Sequence, residues 1–419
     1  MLDIKLFREN SELIKKSEKN RFKDVSVVDK VIEYDRRWRE KLEEIQKLKH
    51  KKNKISEEIG KLKREKKETE DLIINASKID DEISKLEREV QFLKEERENY
   101  RYKIGNILDQ SVPVAPTEED NIIVRTFGEL KEFDFTPKGH AELVERFAEL
   151  ERAAKISGAR TYFLKGDLVL LNLALIDFGI KRLIKKGFIP ILTPFFINKK
   201  YMKAAAELAD FEETLYKLEG EDSYLIATSE QSIASLHSGE VLEEEVLPLK
   251  YAGFSTCFRK EAGSHGKDTK GIFRVHQFDK IEQFVFCNPK DSWNIFEELI
   301  KNTEEIYQAL ELPYRVVNIA SGELNDNAAK KYDLEAWFPA QKKYRELGSC
   351  SNCTNFQTAK LNVKFGKHGG NKELVHTLNS TAIATERTIA CILENYQQED
   401  GSIIVPKVLR DFVGKDVIK

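Results

Sequence analysis

Residues Phe258–Phe286, FRKEAGSHGKDTKGIFRVHQFDKIEQFVF, decide how the rest of the chain is read. Side chains two apart on a strand share a face, so Arg259 and Glu261 are expected to point the same way. Glycines and charges fill Ala262–Gly271. From Ile272 to Phe286 bulky apolar residues then alternate with Arg274, His276, Lys280 and Glu282. The pattern predicts a long hairpin with Arg and Glu on one face and Phe273, Val275, Phe278 and Phe284 nearby. Such a face suits a ligand with phosphates, a flat base and an amine. A plain amphipathic hairpin with a solvated charged face is the competing reading.

A chain of 419 residues with 41% hydrophobic residues has room for two or three domains and a sizeable core. Its net charge is only -3, so contact with nucleic acid has to come from a local patch. Five cysteines and a start without an apolar leader point to a reducing compartment, and no run of about 18 apolar residues occurs. The expectation is a cytoplasmic protein without a membrane span.

Working back toward the N-terminus, Val31, Tyr34, Trp38, Ile45, Leu48, Ile55, Ile59 and Leu62 step by threes, fours or their sums, with Lys52 in the gap. Ile79, Ile83, Leu86, Val90, Leu93, Tyr100, Ile104 and Ile107 repeat the rule, with Arg97 in the gap. The polar break Glu68-Thr69-Glu70-Asp71 between the blocks predicts an antiparallel helical hairpin over about 28–107. Between Lys47 and Lys67 ten Lys/Arg face three Glu, which suits either a solvated helix face or a surface for phosphate backbone. The segment before it, 1–27, reads as a short helix. The domain reading is 1–110 for the N-terminal domain, 111–135 for a linker opened by the prolines of QSVPVAPT, and 136–419 for the second domain.

Within that domain Thr136–Arg152 and Gly166–Lys186 read as helices. Gly187–Ile197 reads as a buried, proline-bearing strand suited to an edge or an interface. In SYLIATSEQSIASLHSG, Thr228, Ser229 and Glu230 lie at a turn into a helix, where hydroxyls serve either as caps or as ligands. Tyr344–Phe356 reads as short strands and turns, and Ala382–Tyr396 as a helix. The lone pair Cys350 and Cys353 lacks two further zinc ligands. No GxSxG, Walker A or Rossmann pattern occurs, so a nucleotide site has to be built from side chains on strands.

Leu378–Arg387, LNSTAIATER, completes a set of three. With GFIPILTPFFI and the opening stretch, it resembles the three motifs of class II aminoacyl-tRNA synthetases. RVHQFDKIEQF, the TSE triplet, GSCSNCTNFQ and the helical hairpin are similar to the seryl-tRNA synthetase family, almost end to end. The resemblance implies an α+β architecture: an antiparallel coiled-coil arm, then a class II catalytic domain on a mixed, mostly antiparallel sheet flanked by helices. It implies ATP-dependent activation of L-serine, with Mg²⁺, and transfer to tRNA(Ser), with tRNA(Sec) a further candidate.

Residue by residue, the resemblance gives Arg259 the ATP α-phosphate and the amino-acid carboxylate, which a planar guanidinium can bridge. Arg274 and Arg387 take the outer phosphates, and Arg387 also covers the adenine. Lys260 and Glu261, Val275, His276, Gln277 and Phe278, and Glu346, Leu347, Gly348 and Ser349 line the nucleotide. Phe278 stacks on the base and Glu346 is the Mg²⁺ ligand. Thr228, Ser229, Glu230, Glu282, Asn379 and Thr381 meet serine. Lys47, Lys51, Lys54, Lys61, Lys63 and Arg64 meet tRNA, the loop Gly263–Lys270 meets its acceptor end, and the strand around Pro194 joins a homodimer.

Overall fold

Two long helices, Ser26–Arg64 and Glu70–Arg101, form the N-terminal hairpin of the computed structural model. All residues are described except 207–213, 262–267, 269 and 368–369, so most of the Gly263–Lys270 loop lies outside the described residues. The chain divides into two compact units, 2–19 with 23–105, and 1 and 20–22 with 106–419.

At 1.5 Å rise per residue the hairpin helices are about 58 and 48 Å long. Ile45, Ile55, Ile79, Ile83 and Leu86 form their seam, flanked by Leu48, Ile59, Leu72, Ala76 and Val90. Leu72 and Ala76 carry the second helix back to Glu70, ahead of the heptad start at Ile79. Ile104 and Ile107 fall beyond its end at Arg101. Both charged gaps in the heptads find partners. Lys52 pairs with Asp80 across the hairpin at 2.5 Å. Arg97 lies 4.6 Å over the Trp38 ring and bonds Asp35 at 2.9 Å. Arg8 and Arg39 reach the same carboxylate at 2.7 and 3.1 Å. Burial pushes Asp35 up, but the arginines outweigh it and hold the carboxyl below its ordinary value. Residues 1–27 carry two helices, Ile4–Glu9 and Ser11–Asn20, where the reading has one.

The second unit rests on eight strands: β1 (Ile122–Phe127), β2 (Ile189–Leu192), β3 (Leu249–Phe258), β4 (Gln277–Cys287), β5 (Tyr314–Asn318), β6 (Lys330–Phe338), β7 (Lys343–Thr354) and β8 (His376–Ala384). Their spatial order is β1-β5-β6-β7-β8-β4-β3-β2, antiparallel throughout except for β2 on β3. Helices Asp167–Lys185, Ser292–Ala309 and Thr385–Tyr396 supply Leu171, Leu175, Phe296, Leu299 and Ile389 to the main core. The central strand β4 is two-sided. Ile281, Val285 and Cys287 enter that core, whereas Phe284 and Phe286 join a second cluster with Ile233 and Tyr251.

Several segments depart from the sequence reading. Residues 122–127, inside the stretch read as a linker, form edge strand β1 on β5. The β3–β4 ladder closes at Phe258 and Gln277, so β4 starts five residues later than Ile272. Arg259 and Glu261 therefore leave the strand, and Glu261 takes φ 52°, which ends any extended run. Gly187–Ile197 was expected to be buried. β2 is the outer edge strand that its prolines suit, but it is not buried: Ile189 and Leu192, with Phe196 just beyond, are 53%, 67% and 62% exposed. Thr136–Arg152 divides between two short helices, His140–Val144 and Leu150–Ser157. Tyr344–Phe356 belongs largely to one 12-residue strand, β7, and the helix read over Ala382–Tyr396 starts at Thr385 because Ala382–Ala384 complete β8.

Candidate active site

A cavity of about 370 Å³ opens over β4, β6, β7 and β8, bounded by the β3–β4 connection and the start of helix Thr385–Tyr396. Three arginines reach it from separate elements. Arg259, just past β3, donates from Nε to the Ala227 carbonyl at 3.3 Å and lies 5.2 Å from the centre of the Phe278 ring. Arg274 pairs with Glu261 at 2.9 Å. Arg387 pairs with Glu346 at 3.3 Å and sits 5.2 Å from the Phe273 ring centre. Burial acts to raise Glu346, but Arg387, Lys331 and Arg259 keep its carboxyl well below the usual range. The adjoining Asp333 is pushed up by its burial. The arrangement is a cationic, aromatic-walled pocket with one firmly ionised carboxylate, which suits a polyphosphate bearing a flat base.

Next to it the sheet register creates a smaller polar floor. Thr381 on β8 stands opposite Glu282 on β4, and its hydroxyl donates to Oε2 at 3.2 Å. Lys280, two residues earlier on the same face of β4, bonds the same carboxylate. Glu282 in turn stands opposite Gly253 on β3. A Cβ at Gly253 would lie 2.4 Å from Ile233 Cδ1 and 2.8 Å from Ser229 Oγ, so glycine lets helix Ser229–Ser235 press onto the sheet. Gly348 does the same on β7, where a Cβ would approach the Thr381 carbonyl to 2.9 Å. A buried carboxylate beside a hydroxyl can take up an ammonium and orient a small hydroxylated side chain.

The cavity gathers Thr228, Glu230, Arg259, Glu261, Arg274 and Val275. Phe278, Glu282, Glu346, Leu347, Gly348, Ser349, Asn379, Thr381 and Arg387 share it. Thr228 lines the cavity, and its Oγ1 caps the helix by accepting from Glu230 N at 3.2 Å. Glu230 is held by Gln357, which donates at 2.8 Å.

Four of the proposed residues stand outside the lining. Ser229 is fully buried beneath Gly253, and its hydroxyl makes no hydrogen bond. Gln277 is exposed. His276 closes the neck of the β3–β4 connection, its carbonyl accepting from Arg259 N at 2.8 Å. Lys260 donates its backbone N–H to Thr214 O at 2.8 Å.

Phe273, which the sequence places near the charged face of the hairpin, also lines the cavity, as do Lys280, Lys331 and Glu386, to which sequence reasoning gave no role in the site. Lys280 was within reach of the alternation that links Phe278 to Glu282; nothing local marks Lys331 or Glu386. Cys350 and Cys353 are buried and not joined in a disulfide, and among the described residues no cluster of three His, Cys, Asp or Glu can hold a metal alone. A single ionised carboxylate such as Glu346 still fits Mg²⁺, which binds through one or two carboxylates plus phosphate oxygens. In the hairpin, Lys51, Lys54, Lys61, Lys63 and Arg64 are exposed and form no ion pair among the described residues, while Lys47 pairs with Glu43 at 2.8 Å.

Comparison with known proteins agrees with this geometry. Residues 1–108 match the seryl-tRNA synthetase N-terminal domain, and residues 214–396 match the tRNA synthetase class II core domain (G, H, P, S and T). The chain is 53% identical to a serine–tRNA ligase of Methanosphaera stadtmanae, covering 100% of both chains. It is 49% identical to one of Helianthus annuus, covering 99% of this chain and 97% of the relative. The seryl-tRNA synthetase of Pyrococcus horikoshii complexed with ATP superposes with a TM-score of 0.93 at 46% identity, over 100% of this chain and 99% of that one. The cytoplasmic enzyme of Naegleria fowleri in complex with AMP gives 0.89 at 45%, over the same shares. The chain belongs to the seryl-tRNA synthetase family.

Proposed function

We propose that the chain is a serine–tRNA ligase that joins L-serine to ATP as seryl-adenylate and then passes serine to the 3′ end of tRNA(Ser). The observation that carries this reading is the convergence of Arg259, Arg274 and Arg387 on one cavity whose floor holds the Glu282–Thr381 pair. A carboxylate oxygen of serine attacks the α-phosphorus, the bond to the β-phosphate breaks, and its electron pair leaves on pyrophosphate. Serine is already an anion at that oxygen, so the step needs no general base. It needs alignment and charge neutralisation.

Arg259 bridges the carboxylate and the α-phosphate, holding the two anions together. Arg274 and Arg387 take the outer phosphates, and Phe278 lies flat under adenine. Glu346, kept ionised by Arg387, holds Mg²⁺, which supplies further neutralisation of the phosphates when bound. Glu282 takes the serine ammonium, and Thr381 with Asn379 the hydroxyl. Alanine is rejected because it leaves those buried groups unpaired. In the second step the terminal ribose hydroxyl of tRNA attacks the acyl carbon and AMP departs.

The exposed cations Lys51, Lys54, Lys61, Lys63 and Arg64 make the outer hairpin a track for the tRNA backbone. Exposed Ile189 and Leu192 on edge strand β2, with exposed Phe196 just beyond Pro194, support a homodimer contact near Pro194. The test is ATP–pyrophosphate exchange by the full chain with each amino acid in turn. Serine-dependent exchange is expected; no exchange, or exchange with another amino acid alone, refutes the reading. Charging of tRNA(Ser) then separates a ligase from a relative that loads an amino acid onto a carrier protein.

A further inference from the structure

Glu386 is a buried carboxyl with no part in the chemistry above. It is 2% exposed, lines the cavity and precedes Arg387 in the chain. Three donors from three parts of the fold converge on it. The Tyr162 hydroxyl, from the segment before helix Asp167–Lys185, donates to Oε1. The Asp279 N–H on β4 donates to Oε2 at 3.0 Å, and the Thr385 hydroxyl donates to the same oxygen at 2.9 Å. Asp279 lies between Phe278, at the nucleotide, and Lys280, on Glu282. The Glu386 side chain thus ties the strand carrying those residues to the helix carrying Arg387.

We propose that Glu386 is a positioning residue for nucleotide binding, a clasp that fixes the spacing between Phe278 on β4 and Arg387 on the helix; this rests on the ATP site proposed above. Its surroundings also bear on its charge, the three donors favouring the carboxylate and burial the neutral acid. The charged and titratable groups facing Glu386 are Asp279 from β4, Tyr162 from the preceding segment and Arg387 from its own helix. The Arg387 guanidinium is turned to Glu346, and Lys280 is turned to Glu282. Asp279 is itself an acceptor, taking bonds from Thr256 at 2.7 Å and Asn172 at 3.1 Å. Burial, reinforced by the Asp279 charge, pushes the Glu386 carboxyl up to about 7. As a neutral acid it keeps a carbonyl oxygen for Asp279 N–H and Thr385 and a hydroxyl for Tyr162. A glutamine keeps the carbonyl end and meets the Tyr162 oxygen with an N–H once that hydroxyl turns to accept; an alanine reproduces neither end.

ATP binding by the full-length protein, measured by calorimetry without serine, tests the clasp. Glu386→Ala is expected to raise the Kd for ATP about tenfold or more, as a small misplacement of binding groups does, while Glu386→Gln stays within about twofold of the parent. As pH rises from 6 to 8, ATP binding by the parent should weaken relative to Glu386→Gln, because only the parent gains a charge there; comparing the two cancels the titration of ATP itself. Stability gives a second reading. A carboxyl raised in the folded state stabilises below its unfolded pKa and loses that contribution as pH rises through about 7. The melting temperature of Glu386→Gln should therefore gain on the parent as pH increases. Unchanged ATP affinity in Glu386→Ala, or an equal loss in Glu386→Gln at every pH, overturns the proposal and leaves the ATP site standing. A parent protein that binds no ATP overturns the site and the clasp together.

Discussion

The hairpin and the cavity each set acids among arginines, with opposite results. In the hairpin one buried carboxylate, Asp35, is met by Arg8, Arg39 and Arg97, and Trp38 covers the last of these. The acid's valences are filled by the protein. In the cavity the ratio is reversed in use: Arg274 pairs closely with Glu261 and loosely with Asp268, Arg387 leans on Glu346, Arg259 donates to a carbonyl and lies over the Phe278 ring, and all three face open space. The same residue type is a structural tie where its acid is saturated and a binding group where its donors are left for something else. Burial alone does not distinguish the two; the count of unclaimed donors does.

The largest expected break of this contrast is Arg259→Ala. Removing the proposed bridging cation should cut serine-dependent exchange by about 10³-fold or more, measured at saturating ATP, with the melting temperature nearly unchanged because one carbonyl loses its donor and one ring its cation. Asp35→Asn should do the converse. It removes one of the two acids that pair with buried Arg97, the other being Glu98 at 2.8 Å, and lowers the stability of the hairpin by somewhat less than the roughly 3 kcal/mol that a fully broken buried pair costs, read from hydrogen exchange of hairpin amides, while exchange activity stays at the parent level. Deleting Lys41–Lys94 should raise the KM for tRNA roughly tenfold by removing backbone contacts, with adenylate formation unaffected; equal tRNA charging would detach the basic track from its proposed role.

The smallest effect is a pH dependence. Glu346 has a depressed folded pKa, so its contribution is present above the unfolded value and disappears as pH falls through the folded one. The melting-temperature gap between the parent and Glu346→Gln should be flat from pH 8 to 6 and close only on strong acidification.

The hairpin was legible because its cores repeat locally, and even its interruptions, Lys52 and Arg97, could be located before their partners were known. Much of the site was legible for another reason: β4 alternates, so Phe278 and Glu282 share a face whatever happens elsewhere. What escaped depends on distant pairing. Tyr162 and Glu386 stand 224 residues apart, and Lys331 faces the cavity only because β6 pairs with β7. Arg259 was assigned to a strand because alternation says nothing about a left-handed residue such as Glu261 two positions on. Strand β1 hid in a proline-flanked stretch because an edge strand with exposed Ile122 and Ile123 has no alternation to show.

The place of β8 has a consequence for how the protein is made. This strand, His376–Ala384, lies between β7 and β4 near the middle of the sheet, yet it is the last of the eight to leave the ribosome. Until it arrives, β1-β5-β6-β7 and β4-β3-β2 are separate half-sheets with bare inner edges, prone to pair with the wrong strand. Thr381 and Arg387 arrive with it or just after. An unfinished or prematurely released chain therefore holds Arg259 and Arg274 but has no closed floor, so partial products of synthesis are inert and not weakly active competitors for serine and ATP.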